Sequence, residues 1–318
     1  MRAFALVALF LGACGSVPHI TPPVVRVPDS TTVSLVESFV LQFGEPGSGP
    51  GQFRNPQDLS VNRLGQIFVA DTGNDRVQWF GPDGRYGGEF GGFGLGDRQF
   101  HHPGGIDART SLDIWVADTF NRRAVHLDRA LNVIAAVGDI VDHGDELPLG
   151  EPTDVALSKS GTLYVVDREN DRLLEFTPFD LNGRELVGFG SGTASLGDPA
   201  AVAVGKNGSI YVADSRNNRI AIFDQFGAYV GQIRGFSGPE GVNVTRRGHV
   251  IVADTGNHRV VACARSGRFL GVFGSEGSGL GGLKSPTAAA LDPRDRLIVL
   301  DSGNNRVQIW RTAGSAGL

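Results

Sequence analysis

Six times along the chain a proline lies fifteen residues before an aspartate, and an arginine follows five residues after it. The sets are Pro56, Asp71, Arg76; Pro103, Asp118, Arg123; Pro152, Asp167, Arg172; Pro199, Asp214, Arg219; Pro239, Asp254, Arg259; and Pro286, Asp301, Arg306. An asparagine stands three after each aspartate, at Asn74, Asn121, Asn170, Asn217, Asn257 and Asn304. Successive aspartates are 47, 49, 47, 40 and 47 residues apart, the period of a four-stranded propeller blade rather than of a two-helix repeat. The spacing predicts an all-β chain, a six-bladed β-propeller of four-stranded antiparallel blades.

Within a unit the order is proline, inner strand, turn, second strand, hairpin, third strand, turn, fourth strand. In the first unit this gives strands at 58–61, 67–71, 76–80 and 86–91. Glycine, 46 of 318 residues, is about twice its usual ~7% share, and Gly84, Gly161, Gly208, Gly227, Gly248 and Gly267 fall where turns need positive φ. The repeated aspartate and arginine flank a four-residue loop. This makes them opposed positions of one hairpin, the aspartate accepting loop N–H groups in an Asx-type turn and facing the arginine as an ion pair. A charge present in every blade builds the blade, so these pairs are read as structural. The pair Phe43-Gly44 precedes the first proline, whereas the last unit stops after its third strand at Trp310. The N-terminal strand is therefore expected to close the last blade.

The first residues are a separate object. Arg2 and the apolar run Ala3 to Leu11 have the n-region and h-region of a secretory signal. The run ends in Leu11-Gly12-Ala13-Cys14, which resembles the lipobox of bacterial lipoproteins. On this reading residues 1–14 are a signal peptide whose Cys14 is lipidated and becomes the mature N-terminus. Residues 15–34, with Pro18, Pro22, Pro23 and Pro28, are a tether without secondary structure, and 35–318 form the propeller. The expected location is the bacterial cell envelope, lipid-anchored, with Gly15 compatible with the outer membrane. Cys263, left without a partner, is expected as a small buried hydrophobe.

A formal charge of −5 and a pI near 5.8 supply no long-range attraction for a polyanion, so nucleic acid and anionic lipid surfaces are poor default partners and membrane contact is expected through the anchor only. A protein or cell-wall glycan partner and a monomeric chain are expected.

The recurring forms Val69-Ala70-Asp71-Thr72-Gly73-Asn74-Asp75-Arg76-Val77 and Val252-Ala253-Asp254-Thr255-Gly256-Asn257-His258-Arg259-Val260 resemble NHL repeats, over about residues 35–312. That resemblance implies a fold more than a function. Proteins of this kind include extracytoplasmic sensor or scaffold domains, RNA-binding ends of regulatory proteins and zinc-dependent amidating lyases. Related six-bladed propellers include metal-dependent lactonases and streptogramin lyases. The amidating lyases place several histidines around the channel, whereas here His102 alone occupies such a position.

Function is expected where blades differ, on the face that gathers the loops before the prolines and after the aspartates. Before the prolines stand Asn55, His102, Glu151, Asp198, Gly238 and Ser285; two after them, Asp58 and Asp154 point toward the channel mouth. His102, Glu151, Asp154, Asp198 and Asp58 are thus the metal or acid–base candidates, with Ca or Zn the ions to consider. No His-Glu-x-x-His or paired-cysteine spacing accompanies them, and no cofactor is expected. At the hairpin tips Gly73, Gly256 and Gly303 give way to Phe120, Glu169 and Arg216. With Arg122 these have the composition of a contact patch for a protein or glycan. The sequence therefore points to a binding scaffold acting through the loop face of blades two to four. The alternative is a metal-dependent lyase or lactonase at the channel mouth. His126, His143, His249 and His258 are read as surface or packing residues.

Overall fold

The computed structural model describes residues 24–26, 33–110, 112–138, 148–178, 180–188 and 192–313. Six sheets, each with four antiparallel strands, form a six-bladed propeller. Blade one contains Asp58–Val61, Ile67–Asp71, Arg76–Phe80 and Tyr86–Gly91, the bounds its sequence pattern sets. The inner strands of the next blades are Pro103–Asp107, Pro152–Leu157, Pro199–Val204, Gly241–Val244 and Ala288–Leu291. In blade six the outermost place is taken by Val36–Phe43. It pairs antiparallel with Arg306–Thr312, Phe43 opposite Val307.

The second strands Ile67–Asp71, Ile114–Asp118, Leu163–Asp167, Ile210–Asp214 and Val250–Asp254 are buried at every position. They read as unbroken apolar runs because a neighbouring blade covers each face, which removes the alternation of a half-exposed strand. The core is correspondingly divided into six clusters, each wedged between two blades. Phe53, Leu59, Val69 and Phe80 pack on Ile298, Leu300 and Val307, so blade one seals against blade six. Full burial of a side chain such as Phe80 contributes roughly 1.5–3 kcal/mol.

Every inner strand runs from an upper end, where the proline loops and the Asp–Arg hairpins gather, to a lower end closed by turns such as residues 62–66. The six turn glycines named above have φ between 75° and 86°.

One expectation for the N-terminal stretch is corrected. Within 15–34, Val24–Arg26 forms a parallel fifth strand on the edge of blade four. The amide of Leu35 then bonds the carbonyl of Val272 on the rim of blade five, and the amide of Val272 bonds that of Val33. The outer edge of a blade presents unpaired N–H and C=O groups, and the β-branched pair in this segment suits such an edge. Cys14, with the rest of residues 1–23, and residues 27–32 lie outside the described residues.

Candidate functional site

Each repeated aspartate is fully buried at the centre of a knot that joins its hairpin to the loop leading into the blade. In blade one Arg76 Nε donates to Asp71 Oδ2 at 2.8 Å, and Asn74 Nδ2 donates to the same oxygen at 2.9 Å. The Arg54 N–H donates to Oδ1 at 2.8 Å, and Arg76 Nη2 donates to the Gln52 carbonyl at 3.0 Å. The arginine-to-aspartate bond recurs for Arg123, Arg172, Arg219, Arg259 and Arg306. The expected Asx-type turn is not what forms. The carboxylate takes its backbone N–H seventeen residues upstream, because the N–H two residues after the aspartate, which an Asx turn would use, donates to that same upstream loop, as in Gly73 N–H to the Arg54 carbonyl at 2.9 Å.

Two further devices tie neighbouring blades together. The residue after the aspartate is a hydroxyl in five blades. Thr72, Thr119, Ser215 and Thr255 donate to the carbonyls of Pro103, Pro152, Pro239 and Pro286 of the next blade at 2.6 to 2.8 Å, whereas Ser302 bonds Thr287 of its own blade. The fourth residue after the aspartate accepts the N–H of the residue before the next proline. The pairs are Asp75 with His102, Asp171 with Asp198, Asn218 with Gly238, His258 Nδ1 with Ser285, and Asn305 with Asn55, at 2.6 to 2.9 Å. The non-glycine pre-proline donors sit at φ of 45° to 54°, a left-handed conformation costing about 1–2 kcal/mol that the captured N–H offsets.

Blades two and three carry the exceptions. After Asp167 stands Arg168, whose Nη2 reaches Glu240 Oε2 of blade five at 2.8 Å while its Nε lies 3.1 Å from Asp198 of blade four. This second contact is within ion-pairing range without hydrogen-bond geometry. Thr153 takes over the missing hydroxyl bond, to the Pro199 carbonyl at 3.3 Å. The place that captures the next pre-proline N–H is held by Arg122, which cannot accept, and Glu151 bonds Asp167 instead. Arg168 and Glu240 escaped the sequence reading. Their signal was an arginine at a position that is otherwise threonine or serine.

The partner candidates meet on this irregular arc. Phe120 is 49% exposed and stacks on His102 with ring centroids 4.7 Å apart. His101 packs edge-on against Phe120 at 5.1 Å and against Phe93 at 5.0 Å, and Phe93 is 69% exposed. Arg122 lies 3.7 Å from Glu169 of blade three, and Arg216 lies 3.6 Å from Asp171. Both arginine side chains are more than half exposed, so such pairs are worth at most about 1 kcal/mol and are readily exchanged for a partner's groups. Nothing in the repeat pattern marks Phe93 or His101, since Phe93 stands in the glycine-rich stretch Gly91-Gly92-Phe93-Gly94 between two blades.

The metal or acid–base candidates do not converge on one point. Among the described residues no three His, Cys, Asp or Glu side chains converge as a metal site. His102 stacks on Phe120 while its backbone N–H, rather than its ring, bonds Asp75, and Asp198 lies 3.1 Å from Arg168 Nε. Asp58 and Asp154 line an upper cavity of about 240 Å³ with His102, Phe120, Arg168 and Glu240. Each also ties inner strands together: Asp58 accepts the Ile106 N–H and Asp154 the Val202 N–H, both at 2.8 Å. Asp107 does the same for Leu157. Adjacent inner strands splay too far apart to pair directly, and carboxylates fill the gap.

These carboxyls differ in charge. Asp58 is enclosed by protein at the channel mouth although part of it faces the cavity. Burial pushes its pKa up to about 7, against the Ile106 N–H, with the Asp107 charge adding to the rise. Burial and then the Asp58 charge hold Asp154 well above the usual range. Burial would also raise Asp107, but Arg109, bidentate at 2.5 and 2.9 Å, outweighs it and keeps Asp107 ionised. His126 stacks on Trp115 and bonds Asp113; His143 lies outside the described residues.

The family model described as "NHL repeat" matches residues 53–80, 196–223, 236–263 and 283–310, so the chain carries NHL repeats. Blades two and three, which hold most of the irregular arc, fall outside the matched segments, whereas Asp198 and Arg216 lie inside one. Protein brain tumor of Drosophila melanogaster is 46% identical over 50 residues, 16% of this chain and 5% of that protein. NHL repeat-containing protein 3 of Mus musculus is 38% identical over 53 residues, 16% of this chain and 15% of that protein. The chain thus spans a small part of the curated relatives it matches. Among solved structures, a gluconolactonase of Xanthomonas campestris, XC5397, superimposes with a TM-score of 0.61 at 13% identity, covering 81% of this chain and 86% of that one. A streptogramin B lyase does so with a TM-score of 0.57 at 14% identity, covering 80% and 78%. These likenesses show the fold.

Proposed function

We propose that the protein is a binding propeller of the bacterial cell envelope, anchored through a lipidated Cys14, that captures a protein or glycan partner on the upper face of blades two to four. One observation carries the reading: Phe93, His101, His102 and Phe120 form a continuous ring cluster, open to solvent at Phe93 and Phe120, at the rim of the upper cavity and beside the exchangeable pairs of Arg122 and Arg216. Rigid aromatic rings flanked by arginine are the side chains that dominate recognition surfaces, since they bury much area at little entropic cost. The relatives that share NHL repeats support a recognition role, and the lipobox-like Leu11-Gly12-Ala13-Cys14 supports the anchor.

The test is a Phe120→Ala/Arg216→Ala double variant. It is expected to melt with the wild type and to lose the partner that the wild type retains from envelope extracts. Undiminished capture by a folded double variant would remove this arc from the reading.

A second reading, a metal-dependent lyase or lactonase, is favoured by one observation: Asp58, with its pKa near 7, and Asp154 face the upper cavity together. It requires a stoichiometric Ca or Zn ion that is lost in His102→Ala or Asp154→Ala. Elemental analysis of the purified protein after dialysis against trace metals decides between the two.

A further inference from the structure

The lower mouth of the channel differs in charge from the chain as a whole. A cavity of about 980 Å³ opens there among the turns that follow the inner strands. Arg63 of blade one, Lys159 of blade three, Lys206 of blade four and Arg246 of blade five line it, and all four are exposed. Among the described residues none of these four has a carboxylate within ion-pairing distance or a hydrogen bond of its own. Of the acids of the same mouth, Asp292 is neutralised by Arg296 at 2.7 Å, whereas Asp113, bonded to His126, and the exposed Asp295 keep their charges and are outnumbered by the four cations. Arg109, deeper in, is neutralised by Asp107. A protein of net charge −5 thus keeps an excess of cations around one concavity, where several walls focus the field inward.

We propose that this lower mouth is a binding site for a ligand carrying several phosphate groups. Four cationic tips from four blades match an extended or branched polyanion better than a single small anion. Lysine and arginine together serve phosphate as point charge and as fork. The open, turn-built rim admits a free polyphosphate-type molecule, and it would equally admit the headgroups of an anionic lipid surface. The site lies at the opposite end of the channel from the aromatic arc and does not depend on it.

The experiment uses the full chain with Cys14→Ser, so that no acyl chain can carry it to a membrane. Binding of inorganic tripolyphosphate is followed by calorimetry at about 0.02 M and about 0.15 M salt, where exposed charge contacts weaken. Saturable binding is expected. It should fall by more than about tenfold in Lys206→Glu/Arg246→Glu, since each cation near an anionic surface is worth about a factor of five. Arg63→Glu/Lys159→Glu, on the other side of the mouth, provides the same comparison should the first variant fail to fold.

In parallel, vesicles of phosphatidylglycerol and of phosphatidylcholine are sedimented with the protein. Tripolyphosphate binding without vesicle binding supports the site with a soluble ligand. Retention on phosphatidylglycerol alone, displaced by tripolyphosphate, supports it with a lipid headgroup. Absence of saturable binding in both arms, or binding that survives both charge reversals, overturns the proposal.

Discussion

Arg168 of blade three and Glu240 of blade five meet across the top of the channel, Nη2 to Oε2 at 2.8 Å, with each side chain 30% exposed. The contact exists because blade three lacks the hydroxyl that its neighbours use as a latch, leaving its residue free to cross the mouth. Arg168→Thr restores the latch pattern and removes the crossing. The pair is partly solvated, so the variant is expected to change stability by less than about 1 kcal/mol, a shift of at most about 4 °C in Tm. Amide exchange should rise in the loops holding Asp198 and Glu240 and stay unchanged elsewhere. A loss of about 3 kcal/mol or more in urea unfolding would instead make Arg168 a clamp that holds the ring together.

The repeated knots behave in the opposite way. Asp214 is fully buried and accepts from Arg219 Nε at 2.5 Å, from the Gly197 N–H at 2.7 Å and from Asn217. Asp214→Ala leaves a buried guanidinium and an amide unpaired and is expected to cost roughly 3–5 kcal/mol. Arg122→Ala, which loses only the exposed contact with Glu169, is expected to cost less than about 1 kcal/mol. Comparable losses in urea unfolding of the two variants would contradict the assignment of the knot as structural.

The channel carboxyls give the fold a pH dependence of known sign. Asp58 titrates near 7 in the folded protein and near 3.8 as a free side chain. Between these values the folded state holds a proton that the unfolded state has released. The stability this group contributes is therefore full below about pH 4 and is lost as pH rises toward 7. Asp154, also raised, acts in the same direction. Asp58→Asn keeps an acceptor for the Ile106 N–H without a charge to bury. The urea midpoint of the wild type is expected to fall between pH 5 and pH 8, and that of Asp58→Asn to fall less. Equal slopes would place the titration elsewhere.

Much of the architecture was legible because every blade repeats the same contacts: the Pro-to-Asp interval is the path down the inner strand and back, and Asp, Asn and Arg are the three corners of one knot. The residues that capture the next pre-proline N–H were not legible. Asp75, Asp171, Asn218, His258 and Asn305 share only an acceptor atom and a left-handed backbone, and residue type hides both. That N–H capture also explains why His102 and Asp198, candidates for a metal, occupy their positions for the sake of the backbone. The charge of the lower mouth was invisible for a different reason. A net charge sums over the whole surface, whereas successive members of the set Arg63, Lys159, Lys206 and Arg246 lie 96, 47 and 40 residues apart in the sequence.

Cys263 offers a direct reading of how tightly the blades hold. Its side chain is fully buried in the cluster between blades four and five, beside Ile233 and Val252, and burial pushes its thiol up to about 12. The nucleophile is the thiolate, so at pH 8 the native protein presents almost none of it and no path to it. In the full chain with Cys14→Ser, Cys263 is the one thiol. Labelling by a disulfide reagent is expected to be negligible over hours in buffer and stoichiometric within minutes in about 6 M guanidinium, because reaction requires the seam between the two blades to open. Rapid labelling of the native protein would show that this seam opens without global unfolding. The strand Val24–Arg26, which extends blade four, would then be the first element to test, by truncation, for a role in keeping the seam closed.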